Sequence, residues 1–167
     1  TPFQVTINEN AGSAESQGLE FEVRAELAEN WSLSVGGDIN WTAKITDPTG
    51  SHGGQAAGRY GGVGISAGNR MANAPKTSAY GTLAYDFTAG NFDAQARLDA
   101  YHVAESWNTA NNESPAPAYQ TLDARVTFYR DNWKFGGYIR NLTDEIIVYE
   151  LNQVGFRFGR PRTVGLE

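Results

Sequence analysis

The sequence predicts an all-β fold, an antiparallel up-and-down transmembrane β-barrel segment of about seven to eight strands. Three observations predict it. Hydrophobicity alternates with a period of two, which separates the two faces of a strand and would scramble them on a helix. Short and long connections alternate strictly along the chain, so an up-and-down sheet carries every short turn at one end and every long loop at the other. Aromatic residues collect toward both strand ends, with Leu, Val and Ala between them, as interfacial girdles do.

The strands follow in order. Residues 2–9 form the first candidate. Over 13–28, Leu19, Phe21, Val23, Ala25 and Leu27 alternate with Glu20, Glu22, Arg24 and Glu26. Glu29-Asn30 supplies a tight turn into 31–46, where Trp31, Leu33, Val35, Gly37, Ile39 and Trp41 oppose Ser32, Ser34, Gly36, Asp38 and Asn40. The long connection 46–75 holds a stretch rich in Gly, Ala and Ser from Gly50 to Gly68, which reads as a long, mobile surface loop with little to bury. Strand 76–87 turns through Gly90-Asn91 into 91–107, where Phe92, Ala94, Ala96, Leu98 and Ala100 oppose Asp93, Gln95, Arg97 and Asp99. After the long loop 108–118, strand 118–129 sets Leu122, Ala124, Val126 and Phe128 against Thr121, Asp123, Arg125 and Thr127. Asp131-Asn132 turns into 132–141, and the loop 142–159 leads to a last strand over 159–167.

Composition bounds the function. The chain has 167 residues, enough for one domain. A formal net charge of -6 argues against nucleic acid as partner. No Cys excludes disulfides, thiol nucleophiles and thiolate metal sites, and two His leave little for a zinc site. No apolar run reaches the ~18 residues of a membrane helix. A barrel strand needs only about 10 alternating residues, with which the mean hydropathy of -0.47 agrees. The N-terminal residues carry no signal-peptide pattern.

A soluble sandwich also alternates, with its apolar face inward. The aromatics favour the barrel. Trp31 and Trp41 share a face ten residues apart, roughly 33 Å along a strand and about 25 Å after tilting, the height of a lipid-facing band. Tyr85, Phe87, Phe92, Tyr129 and Trp133 sit beside the short turns; Tyr101, Trp107 and Tyr119 lie toward the long loops. Leu19, Phe21, Val23, Leu33, Val35, Leu98, Leu122 and Val126 are then expected to face lipid. Glu20, Arg24, Arg97, Asp99, Asp123 and Arg125 are expected in the lumen.

Four motifs, in order, add a resemblance. Ala14-Glu15-Ser16-Gln17-Gly18-Leu19-Glu20 before a short turn and Trp31, Asn73-Ala74-Pro75-Lys76, Asn141-Leu142-Thr143-Asp144, and Gly159-Arg160-Pro161-Arg162 are similar to motifs of TonB-dependent outer-membrane receptors. The resemblance implies that residues 1–167 are a single domain, the C-terminal portion of a larger barrel of about 22 strands, without its plug domain. It implies the outer membrane of a Gram-negative bacterium. It also implies a receptor importing a scarce ligand, such as a ferric siderophore, energised by an inner-membrane complex. The implied partners are membrane lipid, the remainder of the barrel and its plug, the energy-coupling complex acting through that plug, and a small-molecule iron chelate. A secreted, carbohydrate-binding β-sandwich and a small closed eight-stranded barrel are the alternatives.

Candidate chemistry lies in the loops. Arg59, Tyr60 and Arg70 in the first long loop, Trp107 at the second, and Tyr149 and Arg157 in the third are the ligand-binding candidates, because guanidinium and aromatic groups hold anionic, planar chelates. Glu20 and Glu22, roughly 7 Å apart on one strand face, have a spacing that glycoside hydrolysis uses, but no apolar pocket is legible to raise one pKa. The acidic residues Asp47, Asp86, Asp93 and Asp99 lack the spacing of a calcium loop, and the Gly-rich loop lacks a Gly-Lys-Ser/Thr ending. Asn-x-Ser/Thr at Asn30, Asn40, Asn112 and Asn141 reads as coincidence of composition. No catalytic residue, metal or cofactor is expected, and the chain is not expected to be an enzyme.

Overall fold

The structure, a computed structural model, describes residues 12–48, 64–152 and 155–167. The strands are β1 (Ser13–Ala28), β2 (Trp31–Asp47), β3 (Thr77–Ala89), β4 (Phe92–Val103), β5 (Ser106–Trp107), β6 (Pro115–Ala116), β7 (Tyr119–Arg130), β8 (Trp133–Arg140), β9 (Val148–Asn152), β10 (Gly155–Phe158) and β11 (Thr163–Leu166). Seven of them form one antiparallel sheet in the order β1-β2-β3-β4-β7-β8-β11, the up-and-down meander expected. The strand expected over 2–9 lies outside the described residues.

Every short connection is a tight turn at one end. Asn30 (φ 69°), Gly90 (φ 62°) and Asp131 (φ 51°) take the left-handed conformation there, which Asn, Asp and Gly tolerate best. The long connections therefore share the opposite end. Two of them contain short hairpins, β5–β6 and β9–β10, that period-two reading does not anticipate. The strand expected over 91–107 accordingly breaks at Val103, and the last strand shortens to Thr163–Leu166, with Glu167 still pairing Gly136 through backbone hydrogen bonds.

Register confirms the two faces. Val23, Val35 and Gly81 lie in one cross-strand row with Ala100 and Leu122; Leu33, Leu83, Leu98 and Ala124 lie in the next. Arg97 pairs with Arg125, and Asp99 with Thr82 and Asp123, on the opposite face. The apolar face is bare: Leu19 is 56% exposed, Leu98 39% and Val164 72%. A sandwich would cover this face with a second sheet; among the described residues there is one layer, which overturns the sandwich reading. Among the described residues β1 and β11 each have one partner and stand at the edges. The described residues thus form an open sheet and not a closed eight-stranded barrel.

The short-turn end carries a continuous aromatic belt on the apolar face. Trp31 stacks on Tyr85 at 4.6 Å, Tyr85 on Phe87 at 5.7 Å, and Phe87 meets Phe128 edge-on at 6.5 Å. Phe128 then stacks on Phe135 at 5.4 Å, which meets Phe92 edge-on. Ala94 lies between Phe87 and Phe128 in register and is buried, so its small side chain lets the two rings meet over it. Tyr101, Tyr119 and Tyr129 depart from the expected girdles. Tyr101 pairs with Tyr80 and Thr121, Tyr119 with Val103, and Tyr129 with Asp93 and Lys134, so all three belong to the charged face.

β2 also departs from strict alternation. Between Leu19↔Ile39 and Gln17↔Thr42, Gly18 opposes two residues, Asn40 and Trp41. This bulge shifts the phase by one. Beyond it Ala43 and Ile45 pair with Ser16 and Ala14 on the side of Glu20 and Glu22, and both are buried. Trp41, 60% exposed, sits in the bulge itself. A Cβ on Gly18 would come within 2.6 Å of the Ile39 carbonyl oxygen, so glycine is required for this close approach.

Candidate ligand-binding mouth

The described parts of three long connections, 64–76, 104–118 and 141–162 without 153–154, lie at the end opposite the tight turns. β9 and β10 pair through Gly155↔Asn152 and Arg157↔Glu150, and β6 lies beside β9. This places the side chains of the third loop next to those of the second.

Tyr149 and Arg157 come together there. The Arg157 guanidinium lies 5.6 Å from the Tyr149 ring centroid, and Tyr149 meets Tyr119 edge-on at 5.8 Å. Tyr119 opens β7 and belongs, by register with Val103, to the charged face of the sheet. The stack therefore rises from the charged face into the loops as a cation–π ladder, a surface suited to a planar anionic group. Tyr119 was not among the sequence-derived site candidates; its place at the loop end of a strand reads as a girdle position.

Trp107 is half-buried, pairs with Pro115, and its carbonyl accepts the Asn73 N–H at 2.7 Å. Arg70 does structural service. Its Nε donates to the Ala74 carbonyl at 2.6 Å, and its Nη2 donates to the carbonyls of Asn40 at 3.0 Å and Pro75 at 3.1 Å. Part of the loop expected to be mobile is thus tied to β2. Its backbone extends the pairing along β2 through Ile45 N–H to Asn69 O and Met71 N–H to Ala43 O. Arg59 and Tyr60 lie outside the described residues.

The Asn141-Leu142-Thr143-Asp144 motif acquires a physical role. Asn141 is 4% exposed at φ 50°. Its Nδ2 donates to the carbonyls of Glu145 and Arg160, its Oδ1 accepts the Glu145 N–H, and its own N–H reaches Asp123 Oδ1. Asp144 accepts the Arg162 N–H and faces the Arg162 guanidinium. The motif fastens the chain leaving β8 to the residues that begin β11.

The charged face below the mouth is cross-linked rather than cleft. Arg97 donates to both oxygens of Asp99, which also accepts the Thr82 hydroxyl at 2.6 Å. Arg125 reaches Glu167 at 3.2 Å, and Tyr138 lies between Arg125 and Arg140 with centroid distances of 5.9 and 4.8 Å. Glu22 is held by Arg24 at 2.6 Å in the open. Glu20, Glu22, Asp38, Ser78 and Tyr80 line an open depression on this face.

Comparison with known proteins adds the following. Residues 1–142 match the family model described as TonB dependent receptor-like, beta-barrel. No curated protein sequence matches the chain. The fold is similar to that of the ferric yersiniabactin uptake receptor FyuA from Yersinia pestis, with a TM-score of 0.76 and 21% identity over 94% of this chain. It is also similar to BauA, the ferric preacinetobactin receptor from Acinetobacter baumannii (TM-score 0.69, 18% identity, 90% of this chain), and to the siderophore receptor PiuA from the same organism (TM-score 0.64, 18% identity, 92%). The chain spans 23%, 21% and 21% of those three chains.

Proposed function

As the chain belongs to the TonB-dependent receptor-like β-barrel family, we propose that it forms part of the wall and mouth of an outer-membrane receptor of a Gram-negative bacterium. The receptor imports a scarce ligand such as a ferric siderophore. The strand expected over 2–9 continues the meander beyond β1, and the remainder of the barrel closes the sheet between that side and β11, since lipid tolerates no open edge. A plug fills the lumen, and an inner-membrane complex energises transport through it. This segment makes and breaks no covalent bond.

The observation that carries the reading is polarity in two directions. Across the sheet, a bare apolar face opposes a charged one. Along the strands, tight turns oppose loops bearing the Arg157–Tyr149–Tyr119 ladder. Lipid satisfies the first, and a ligand arriving from the loop side satisfies the second. The names of the three similar receptors support an iron chelate as that ligand.

The test is iron-limited growth and uptake of radiolabelled iron supplied as a panel of ferric siderophores, in cells with and without the receptor. Receptor-dependent uptake of at least one chelate supports the reading. A receptor that fractionates to the outer membrane yet changes uptake of no chelate contradicts it.

A further inference from the structure

Arg70 forms an isolated antiparallel bridge with Lys44 of β2. The flanking backbone bonds to β2 are made by Asn69 and Met71, which turns the N–H and C=O of Arg70 away from β2. Among the described residues no strand pairs with Arg70 on that side. The side chain of Asn112, from the next long loop, takes the place of one: its Oδ1 accepts the Arg70 N–H at 2.7 Å and its Nδ2 donates to the Arg70 carbonyl at 2.8 Å. An amide side chain carries the same donor and acceptor as a peptide group, so it completes the ladder as a backbone would. Asn112 itself sits at φ 58°, closed onto Thr109 by an N–H bond at 3.1 Å. Two further bonds join the same loops: Asn69 Nδ2 to the Ala110 carbonyl at 2.9 Å, and Asn73 N–H to the Trp107 carbonyl at 2.7 Å.

We infer that Asn112 is a positioning residue of the mouth, clasping loops 64–76 and 104–118 into one preformed rim that presents Trp107. The two loops are 42 residues apart in sequence at the clasp, and among the described residues they are joined by the side-chain amides of Asn69 and Asn112 and by one backbone hydrogen bond, Asn73 to Trp107. A ligand meeting this rim finds it ordered already, so binding forgoes the entropic cost of fixing it. The functional meaning rests on the long-loop end being the ligand mouth; the clasp itself does not, and its test uses no ligand.

The test is amide hydrogen exchange on the full receptor in detergent, comparing wild type with Asn112→Gly and Asn112→Asp. Glycine keeps the left-handed backbone and deletes the amide; aspartate keeps the acceptor and loses the donor. The clasp predicts that exchange in 64–76 speeds about tenfold in Asn112→Gly, and less in Asn112→Asp, although the substitution lies in the other loop. The turn Ala28–Trp31 is unchanged. Faster exchange confined to 104–118, or none in either loop, overturns the inference. Should Asn112→Gly not assemble, nitroxides on Ser66→Cys and Thr109→Cys in the otherwise native receptor decide: one narrow distance distribution is expected, and a broad or multiple one overturns the clasp. Receptor-dependent uptake is scored separately, so an intact clasp with no chelate imported leaves the inference standing and rejects the ligand reading.

Discussion

Tyr80 lies across Gly36 on the charged face, so that a Cβ added to Gly36 would sit 2.6 Å from the Tyr80 Cζ and hydroxyl. Tyr138 on β8 covers Gly165 on β11 in the same way at the far side of the sheet. A large ring on one strand thus fills the space that a glycine leaves on its neighbour.

The first prediction follows from that pair. Gly36→Val forces the Tyr80 ring off its seat and destabilises the receptor by about 1–3 kcal/mol. Tyr80→Ala combined with Gly36→Val recovers part of the loss. Denaturant unfolding of the single and double variants in lipid vesicles measures the coupling; strictly additive losses would remove the steric argument.

A second prediction concerns the two faces. Val35→Arg, four residues in from Trp31 on the apolar face of β2, costs about 2–4 kcal/mol in lipid. Arg97→Ala, on the charged face, costs about 1 kcal/mol, because Asp99 keeps the Thr82 hydroxyl as donor. Unfolding from vesicles ranks the two, and the reverse ranking contradicts the orientation.

The third concerns Asn141. Asn141→Ala strips the bonds to Glu145 and Arg160 and strains a left-handed position, at a cost of roughly 2–4 kcal/mol. Asn141→Gly keeps the backbone freedom and recovers only the strain. Heat-modifiable mobility on gels reports the folded fraction, expected in the order wild type, Gly, Ala.

The fourth separates the two ends. Tyr149→Ala with Arg157→Ala lowers uptake of the transported chelate at least tenfold, roughly the loss of one cation–π-assisted contact, and leaves assembly intact. Alanine at Glu29, Asn30 and Asp131 leaves uptake unchanged. Uptake assays on cells with matched receptor levels decide it, and equal loss from both sets rejects the mouth assignment.

How much of this was legible in the sequence depended on period. The β1–β2 hairpin and the turn between β3 and β4 could be placed to within a residue or two because alternation runs for a dozen residues and ends at Asn, Asp or Gly turns, whereas β4 stops at Val103, four residues before the expected end. The bulge at Asn40–Trp41 was not legible, since the two-against-one pairing with Gly18 depends on a partner strand that alternation does not record. β5 and β6, two residues each, are too short for any period. Arg70 and Asn112 have side chains whose chemistry suits a ligand as well as a carbonyl; only the carbonyls of Asn40, Ala74 and Pro75 around Arg70, and the Arg70 peptide beside Asn112, show that they bind the protein's own backbone. Tyr149 and Arg157 were chosen by residue type, and the β9–β10 register is what stacks them.

The orientation of the sheet is the claim on which the rest depends, and the 167 residues of this segment, which hold no cysteine, allow it to be measured directly once any cysteine elsewhere in the receptor is replaced. Single cysteines at Leu19, Leu33, Leu98 and Val126, and at Glu20, Asp99 and Arg125, carry nitroxides in the full receptor in vesicles. Collision rates with oxygen and with a water-soluble nickel chelate then report lipid against water. The account predicts high oxygen and low nickel access at the first four positions and no such signature at the other three, alternating between Leu98 and Asp99. Water access at Leu33 and Leu98 equal to that at Asp99, or lipid contact at Asp99, would contradict it.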